Sequence, residues 1–327
     1  MSLLIPLLAA VVPTALYTLL LWWLDRHEKE PLPLLLAAFG WGALPALVLA
    51  LVAEIAIGSA VADVFGPGSE TTIAAPVIEE TLKALALIGI FLFARREFDG
   101  VLDGIIYGAL VGFGFAMSEN LLYFLAYAEQ LGTVWIVRAI IFGFNHAFFT
   151  SIIGIALGLV RYEHRRWVGY VATPIALWLA ILLHVLHNSS AQLGGVGLAL
   201  AWLVDSGGVL IVLATALLAH RHELYWTTTQ LGEEVTRGVI TAQHYDIAQH
   251  PAVRARVELH ALFAGGWRAL RATHRFYHEV IELAFIKYQV ARGDRFCGPE
   301  DIARVRAAVL AARCTMERYT PPVVLRS

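Results

Sequence analysis

The sequence predicts an all-α, polytopic membrane bundle of about seven transmembrane helices followed by a polar helical tail, on three observations. The 327 residues are 58% hydrophobic and only 15% charged, with a mean hydropathy of +0.67, well above the soluble norm. The apolar residues gather into runs of about 20, the length that crosses a hydrocarbon core. These runs fill the first two thirds of the chain, whereas most basic residues follow position 220. The expected division is therefore a membrane domain of residues 1–219 and a cytosolic helical extension of residues 220–327. The formal net charge of −2 makes no case for nucleic acid, and none is expected as a partner. Cys297 and Cys314 both lie in the tail, too few for a disulfide framework, and are expected to be reduced.

The spans follow in order as residues 2–24, 32–58, 73–94, 101–127, 134–160, 167–190 and 198–219. The first has no Lys or Arg before it and is too long for a cleavable signal peptide, so a retained helix is expected. Next comes a charged loop, Asp25 to Pro31, ended by a helix-stopping proline. Arg26 and Lys29 follow span one, Arg95 and Arg96 span three, Arg161, Arg165 and Arg166 span five, and Arg221 span seven, while the loops after spans two, four and six carry no Lys or Arg. The positive-inside rule then places the N-terminus outside and the tail in the cytosol, as in a bacterial cytoplasmic membrane. In the tail, residues 230–249, 252–264, 268–292 and 299–314 mix apolar and charged residues at helical spacing. It shows no metal motif, phosphate loop or nucleophile elbow.

Span three holds Glu79-Glu80-Thr81-Leu82-Lys83, where each charge costs roughly 2.5 to 3.5 kcal/mol at a helix centre. On a helix Lys83 falls between the directions of Glu79 and Glu80, so one ammonium can face two carboxylates with one negative charge left over. Other spans carry few polar groups: Glu119, Asn120 and Tyr123 in span four, Asn145 and His146 in span five, His184, His187 and Asn188 in span six, and Asp205 in span seven. At 1.5 Å per residue, Glu79, Glu80, Glu119, His184 and Asp205 lie roughly 9 to 12 Å below the outer boundary and His146 roughly 18 Å. Five helices thus deliver polar groups to the outer half of the membrane. Glu54 and Arg138, near the outer ends of spans two and five, are read as snorkelling or pairing charges. Carboxylates with histidines at one depth can hold Zn²⁺ and a water, or can activate water directly with a glutamate base and an asparagine amide for the oxyanion.

Glu79-Glu80-x-x-Lys83, Phe115-x-x-x-Glu119-Asn120, Asn145-His146 and His184-x-x-x-Asn188 together resemble the PrsW-type intramembrane proteases, relatives of the CAAX-processing and bacteriocin-immunity proteases. The resemblance covers roughly residues 15–215 and leaves the tail unexplained. It implies an endopeptidase that cuts a membrane-anchored protein, such as an anti-sigma factor, near the extracytoplasmic side. Carried over, Glu79, Glu80, Lys83 and Asn188 are the catalytic set, with Glu79 as base and Asn188 at the oxyanion. Glu119, His146 and His184 form the expected metal set, for Zn²⁺ if a metal is used; a metal-free glutamate mechanism stays open. His187 departs from the family pattern, which has an aromatic residue there, and neither His187 nor Asp205 receives a role.

Intramembrane Glu, Lys and His also mark ion pathways, so a proton-coupled or cation transporter is the alternative, although no internal repeat accompanies it. A seven-span receptor or scaffold leaves the buried charges unexplained. The tail is expected to serve self-association or a cytosolic partner.

Overall fold

The computed structural model describes residues 3–24, 30–163, 165–294 and 296–319, and residues 25–29 of the charged loop lie outside them. The described residues form helices and no strands, and they fall into two compact units that divide between Ala219 and His220.

The first unit holds α1 (Leu4–Leu24), α2 (Leu32–Trp41), α3 (Leu47–Phe65), α4 (Ala75–Phe93), α5 (Val101–Ala126), α6 (Leu131–Trp135), α7 (Asn145–Val160), α8 (Arg166–Ala191) and the start of α9 (Gly194–Thr236). Among the described residues six stretches are long and apolar enough to cross a membrane: Leu4–Trp23, Leu32–Phe65, Val101–Ala126, Ala128–Val160, Trp167–Ala191 and Gly194–His222. The remaining run, 73–94, is present as the 19-residue α4, about 28 Å long, but its three charges keep it out of that set. Its two ends nevertheless meet opposite ends of α8. Asn188, near the end of α8, donates to the Thr71 carbonyl just before α4. Arg161, just before α8, donates to the Arg95 and Phe98 carbonyls just after α4.

Proline shapes the entry of two helices. Pro45 lies inside a π-helical turn, Gly42–Ala46, that joins α2 to α3, and Pro76 follows a second such turn, Glu70–Ala74, at the start of α4. A proline without its N–H interrupts the α ladder, and the widened turn absorbs the mismatch. Span five is likewise interrupted: a π-helical stretch, Ile136–Ile141, ends in a break at residues 142–144, and α7 restarts at Asn145. His146 therefore stands in the first turn of a helix and not in the middle of one.

Helix α5 is the centre of the bundle: 83% of its membrane-length stretch is buried, against 22% for those of α8 and α9. Its glycines explain how two neighbours come so close. A Cβ on Gly104 would sit 2.1 Å from the Gly154 carbonyl of α7, and one on Gly112 would sit 2.4 Å from the His146 carbonyl. On the other side, a Cβ on Gly114 would sit 2.1 Å from the Phe39 carbonyl of α2. Small residues at four-residue spacing let helix backbones touch where lipid gives no hydrophobic drive for association. The core around this contact includes Ile106, Tyr107, Val111, Phe149 and Ile153.

The second unit comprises the end of α9 with α10 (Ala242–Gln249), α11 (Pro251–Ala291) and α12 (Pro299–Tyr319). Its core gathers Leu231, Ile240, Phe276, Val280, Leu283, Val305 and Val309. Buried Glu234 accepts from Lys287 and Arg306 at 2.8 Å. Burial pushes that carboxyl up, but the hydrogen bonds and charges of Arg306 and Lys287 outweigh it and hold it below the ordinary carboxylate range. The seventh apolar run ends near its expected limit, at His222, but the helix that carries it, α9, continues to Thr236. A change from apolar to polar side chains does not by itself end a helix.

Gly112→Ala is expected to push α7 off α5 at His146. It should lower the melting temperature of the detergent-solubilised chain, whereas Gly132→Ala, where a Cβ meets open space, should leave it unchanged.

Candidate functional site

Four helices supply one buried polar cluster, and the centre of it is Lys83. Its Nζ lies 3.1 Å from Glu79 Oε2, 2.8 Å from Glu80 Oε1 and 2.9 Å from His146 Nδ1, with the Phe115 ring centroid 3.9 Å away. Glu80 and Lys83 are fully buried, and Glu79 is 6% exposed. The one-turn spacing on α4 puts the two carboxylates and the ammonium on one face, and the Trp41 indole donating to the Leu82 carbonyl holds that turn against α2.

An ammonium can only donate, so His146 Nδ1 accepts from Lys83 and its Nε2–H donates to Glu119 Oε2, 3.0 Å away. Arg138 closes this end, 2.6 Å from Glu119 Oε2 and 2.8 Å from Asn120 Oδ1, and its guanidinium lies 3.7 Å over the Tyr123 ring. On α8, His184 Nδ1 donates to Glu80 Oε1 at 3.0 Å, which leaves the lone pair on Nε2. The Phe149 ring stacks on the His184 ring with centroids 5.0 Å apart. Glu80 Oε1 thus accepts from both Lys83 and His184, whereas Glu79 is hydrogen-bonded through Oε2 alone among the described residues. Three carboxylates face two cations and two neutral imidazoles, a surplus of one negative charge.

One ligand atom each from Glu79, Glu80, His146 and His184 can be chosen so that all lie within 4.8 Å of one another. Nitrogen and carboxylate donors in this number suit a divalent metal of the zinc class. Lys83 bears on the fit: its ammonium lies against three of the four residues and takes the Nδ1 lone pair of His146, so His146 could ligate only with Lys83 moved aside.

The sequence-based set is thus brought together in part. Glu79, Glu80, Lys83, His146 and His184 meet directly, and Glu119 joins through His146 and not as a member of the four-residue group. Asn188 makes none of its contacts with the cluster; its amide is on the Thr71 carbonyl at 2.9 Å. Arg138, read as a snorkelling or pairing charge, pairs with Glu119 and belongs to the site. The sequence sets it about one turn inside span five, roughly 6 Å below the outer boundary against roughly 12 Å for Glu119, so depth alone does not join the two. His187 pairs with Asp205 at 2.7 Å and lies 3.1 Å from the Asn145 amide nitrogen, which forms a second polar patch beside the first.

A family model described as "PrsW family intramembrane metalloprotease" matches residues 30–219. The chain is similar to the Protease PrsW of Geobacillus kaustophilus, 31% identical over 159 residues, which is 49% of this chain and 65% of that protein. It is similar also to the Protease PrsW of Clostridioides difficile, 30% identical over 182 residues, 54% of this chain and 75% of that protein. A third relative, the Protease PrsW of Bacillus subtilis, is 31% identical over 144 residues, 42% of this chain and 61% of that protein. The match to the first of these spans just under two thirds of its length. No solved structure matches the chain.

Lys83→Met leaves two buried carboxylates without their cation and is expected to cost about 3 to 5 kcal/mol. Arg138→Met removes a pair whose side chains are 24% and 18% exposed, and about 1 to 2 kcal/mol is expected. Thermal unfolding in one detergent measures both, and added Zn²⁺ should restore part of the first loss but not of the second.

Proposed function

We propose, from the premise that this chain belongs to the PrsW family of intramembrane metalloproteases, that it hydrolyses a peptide bond of a membrane-anchored protein, such as an anti-sigma factor, near the extracytoplasmic side. The observation that carries the reading is the convergence of Glu79, Glu80, His146 and His184 in an apolar bundle.

In this reading the carboxylates divide the work. Glu80 and His184, the latter through Nε2, would hold a Zn²⁺ ion, and His146 would join them through Nδ1 once Lys83, which occupies that lone pair here, gives way. Such an ion, when bound, lowers the pKa of a bound water towards neutrality and polarises a carbonyl. Glu79, the less committed carboxylate, takes the proton of the attacking water and passes it to the leaving amine nitrogen as the C–N bond breaks. Lys83 keeps both carboxylates compensated in a medium where an unpaired charge is costly. Glu119, held by Arg138, fixes the His146 ring and its tautomer, the task of a carboxylate behind a ligating histidine. This revises the ligand set of Glu119, His146 and His184: Glu80 takes the place of Glu119 because Glu80, and not Glu119, belongs to the group whose donor atoms lie within 4.8 Å of one another. Asn188 would have to leave Thr71 to serve an oxyanion, so its place in the reading is at the rim between α8 and the start of α4.

The orientation belongs to the same proposal. With α4 added to the six apolar stretches the crossings number seven, and the N-terminus lies outside and the tail in the cytosol. The flanks of α4 support this, since the residues just after it are joined to Arg161 and those just before it to Asn188. The Arg95 and Arg161 loops then share the cytosolic side.

Cleavage of a membrane-anchored substrate by the reconstituted chain, measured beside the metal content of each variant, tests the division of roles. Glu79→Gln is expected to lower the rate roughly 10²- to 10⁴-fold while retaining metal, and His184→Ala to lose both. Metal lost equally from both variants would make Glu79 a ligand. Full activity in metal-free protein would leave the glutamate mechanism standing alone, and full activity in both variants would end the hydrolytic reading.

A further inference from the structure

The second unit carries a face that its own core does not use. Helix α11 turns Val257, Ala261, Ala269, Ala272 and Phe276 inward. Its opposite side shows Leu259, Phe263 and Trp267, which are 51%, 81% and 59% exposed. Four-residue spacing sets Leu259 and Phe263 in one line, and Trp267 follows on the exposed side of the next segment. Between the last two the helix bends at Gly266, whose φ of 73° and ψ of −165° are non-helical and lie where glycine alone is at ease. The neighbouring Gly265 lets the end of α12 approach from behind, for a Cβ there would lie 2.7 Å from the Tyr319 carbonyl oxygen. The bend is therefore packed from the inside, with Phe263 and Trp267 standing outward on either side of it.

The surroundings of this stripe are basic. Arg256, Arg268 and Arg271 are exposed, and the Arg271 guanidinium lies 5.6 Å from the Trp267 ring centroid. Between residues 251 and 275 the acidic side chain is Glu258, and it is engaged by His274 at 3.2 Å. Exposed Leu, Phe and Trp with arginines beside them is the composition of a helix lying in the headgroup region. There the rings enter the acyl boundary and the guanidinium groups meet lipid phosphates. Trp favours that depth in particular. The unit begins where a helix apolar enough to cross the membrane gives way to polar sequence, so a lipid surface is available to it without diffusion. A protein partner would need to supply its own acidic, apolar groove.

We propose that the Leu259–Phe263–Trp267 face of α11, with Arg256, Arg268 and Arg271, docks on the anionic lipid surface of the membrane that the chain spans. The proposal is independent of the hydrolytic reading. The tail then holds the bilayer by a face of its own as well as through α9.

The test uses the full chain in phosphatidylcholine vesicles with and without phosphatidylglycerol, whose acyl chains carry bromine near the headgroup. Trp267 emission is read as the difference between the protein and its Trp267→Phe variant. Blue-shifted emission, quenched by bromine when phosphatidylglycerol is present and released when Arg256, Arg268 and Arg271 are all changed to Gln, is the expected result. Red-shifted, unquenched emission would overturn the proposal. So would blue-shifted emission that bromine does not touch, which would indicate a protein partner or a second copy. Quenching that is equal with and without phosphatidylglycerol would overturn the anionic-lipid claim. Should Trp267→Phe fail to fold, Phe263→Cys in a Cys297→Ser, Cys314→Ser background gives a second measurement. Its labelling by a water-soluble maleimide should slow when phosphatidylglycerol is present, and an unchanged rate would count against docking.

Discussion

The ammonium of Lys83 is the contact on which the first unit depends, because among the described residues it is the cation placed against two carboxylates and an imidazole where water is scarce. Buried charges of this kind are tolerated only when each has a partner at hydrogen-bond distance. Glu79 and Glu80 reach it along α4, and His146 reaches it from α7. His184 is drawn in by Glu80 and Glu119 by His146, so four helices are registered against one another through a single polar knot. The surplus negative charge that remains is what a proton or a divalent metal would offset.

Such a knot needs backbones held at fixed depth and spacing, and the glycines of α5 provide this. With no side chain at Gly104 or Gly112, α7 lies against α5 closely enough for its first turn to present His146 to Lys83 and Glu119 at once. The break at residues 142–144 starts that turn inside the bundle, and the widened turn before Pro76 sets the phase with which Glu79 and Glu80 enter. Apolar packing in this bundle therefore acts chiefly as a positioning device. The stabilising charge contacts form only if it succeeds.

These parts differ in how plainly the sequence shows them. Glu79, Glu80, Lys83, Glu119, His146 and His184 are legible because a charge or imidazole in an apolar run stands out, and depth can be counted at a fixed rise per residue. Arg138 is not, because its reach towards Glu119 depends on a π-helical stretch that shifts helical phase, and periodicity alone does not encode that shift. Asn188 shares a helical face with His184, yet helical spacing could not show that the Thr71 carbonyl would take its amide. The end of α9 escapes a hydropathy reading because polar residues after His220 form helix as readily as the apolar ones before it. The glycines of α5 were visible only as composition until their opposite carbonyls were known.

A double-mutant cycle between Lys83→Met and Glu80→Gln, read as unfolding free energy in one detergent, addresses the polar knot itself. If Lys83 is the cation that Glu80 requires, removing both should be less damaging than removing Lys83 alone, with a coupling of about 1 to 3 kcal/mol. Strictly additive losses would contradict the account, since they would mean that the two side chains do not share the contact on which the bundle is built.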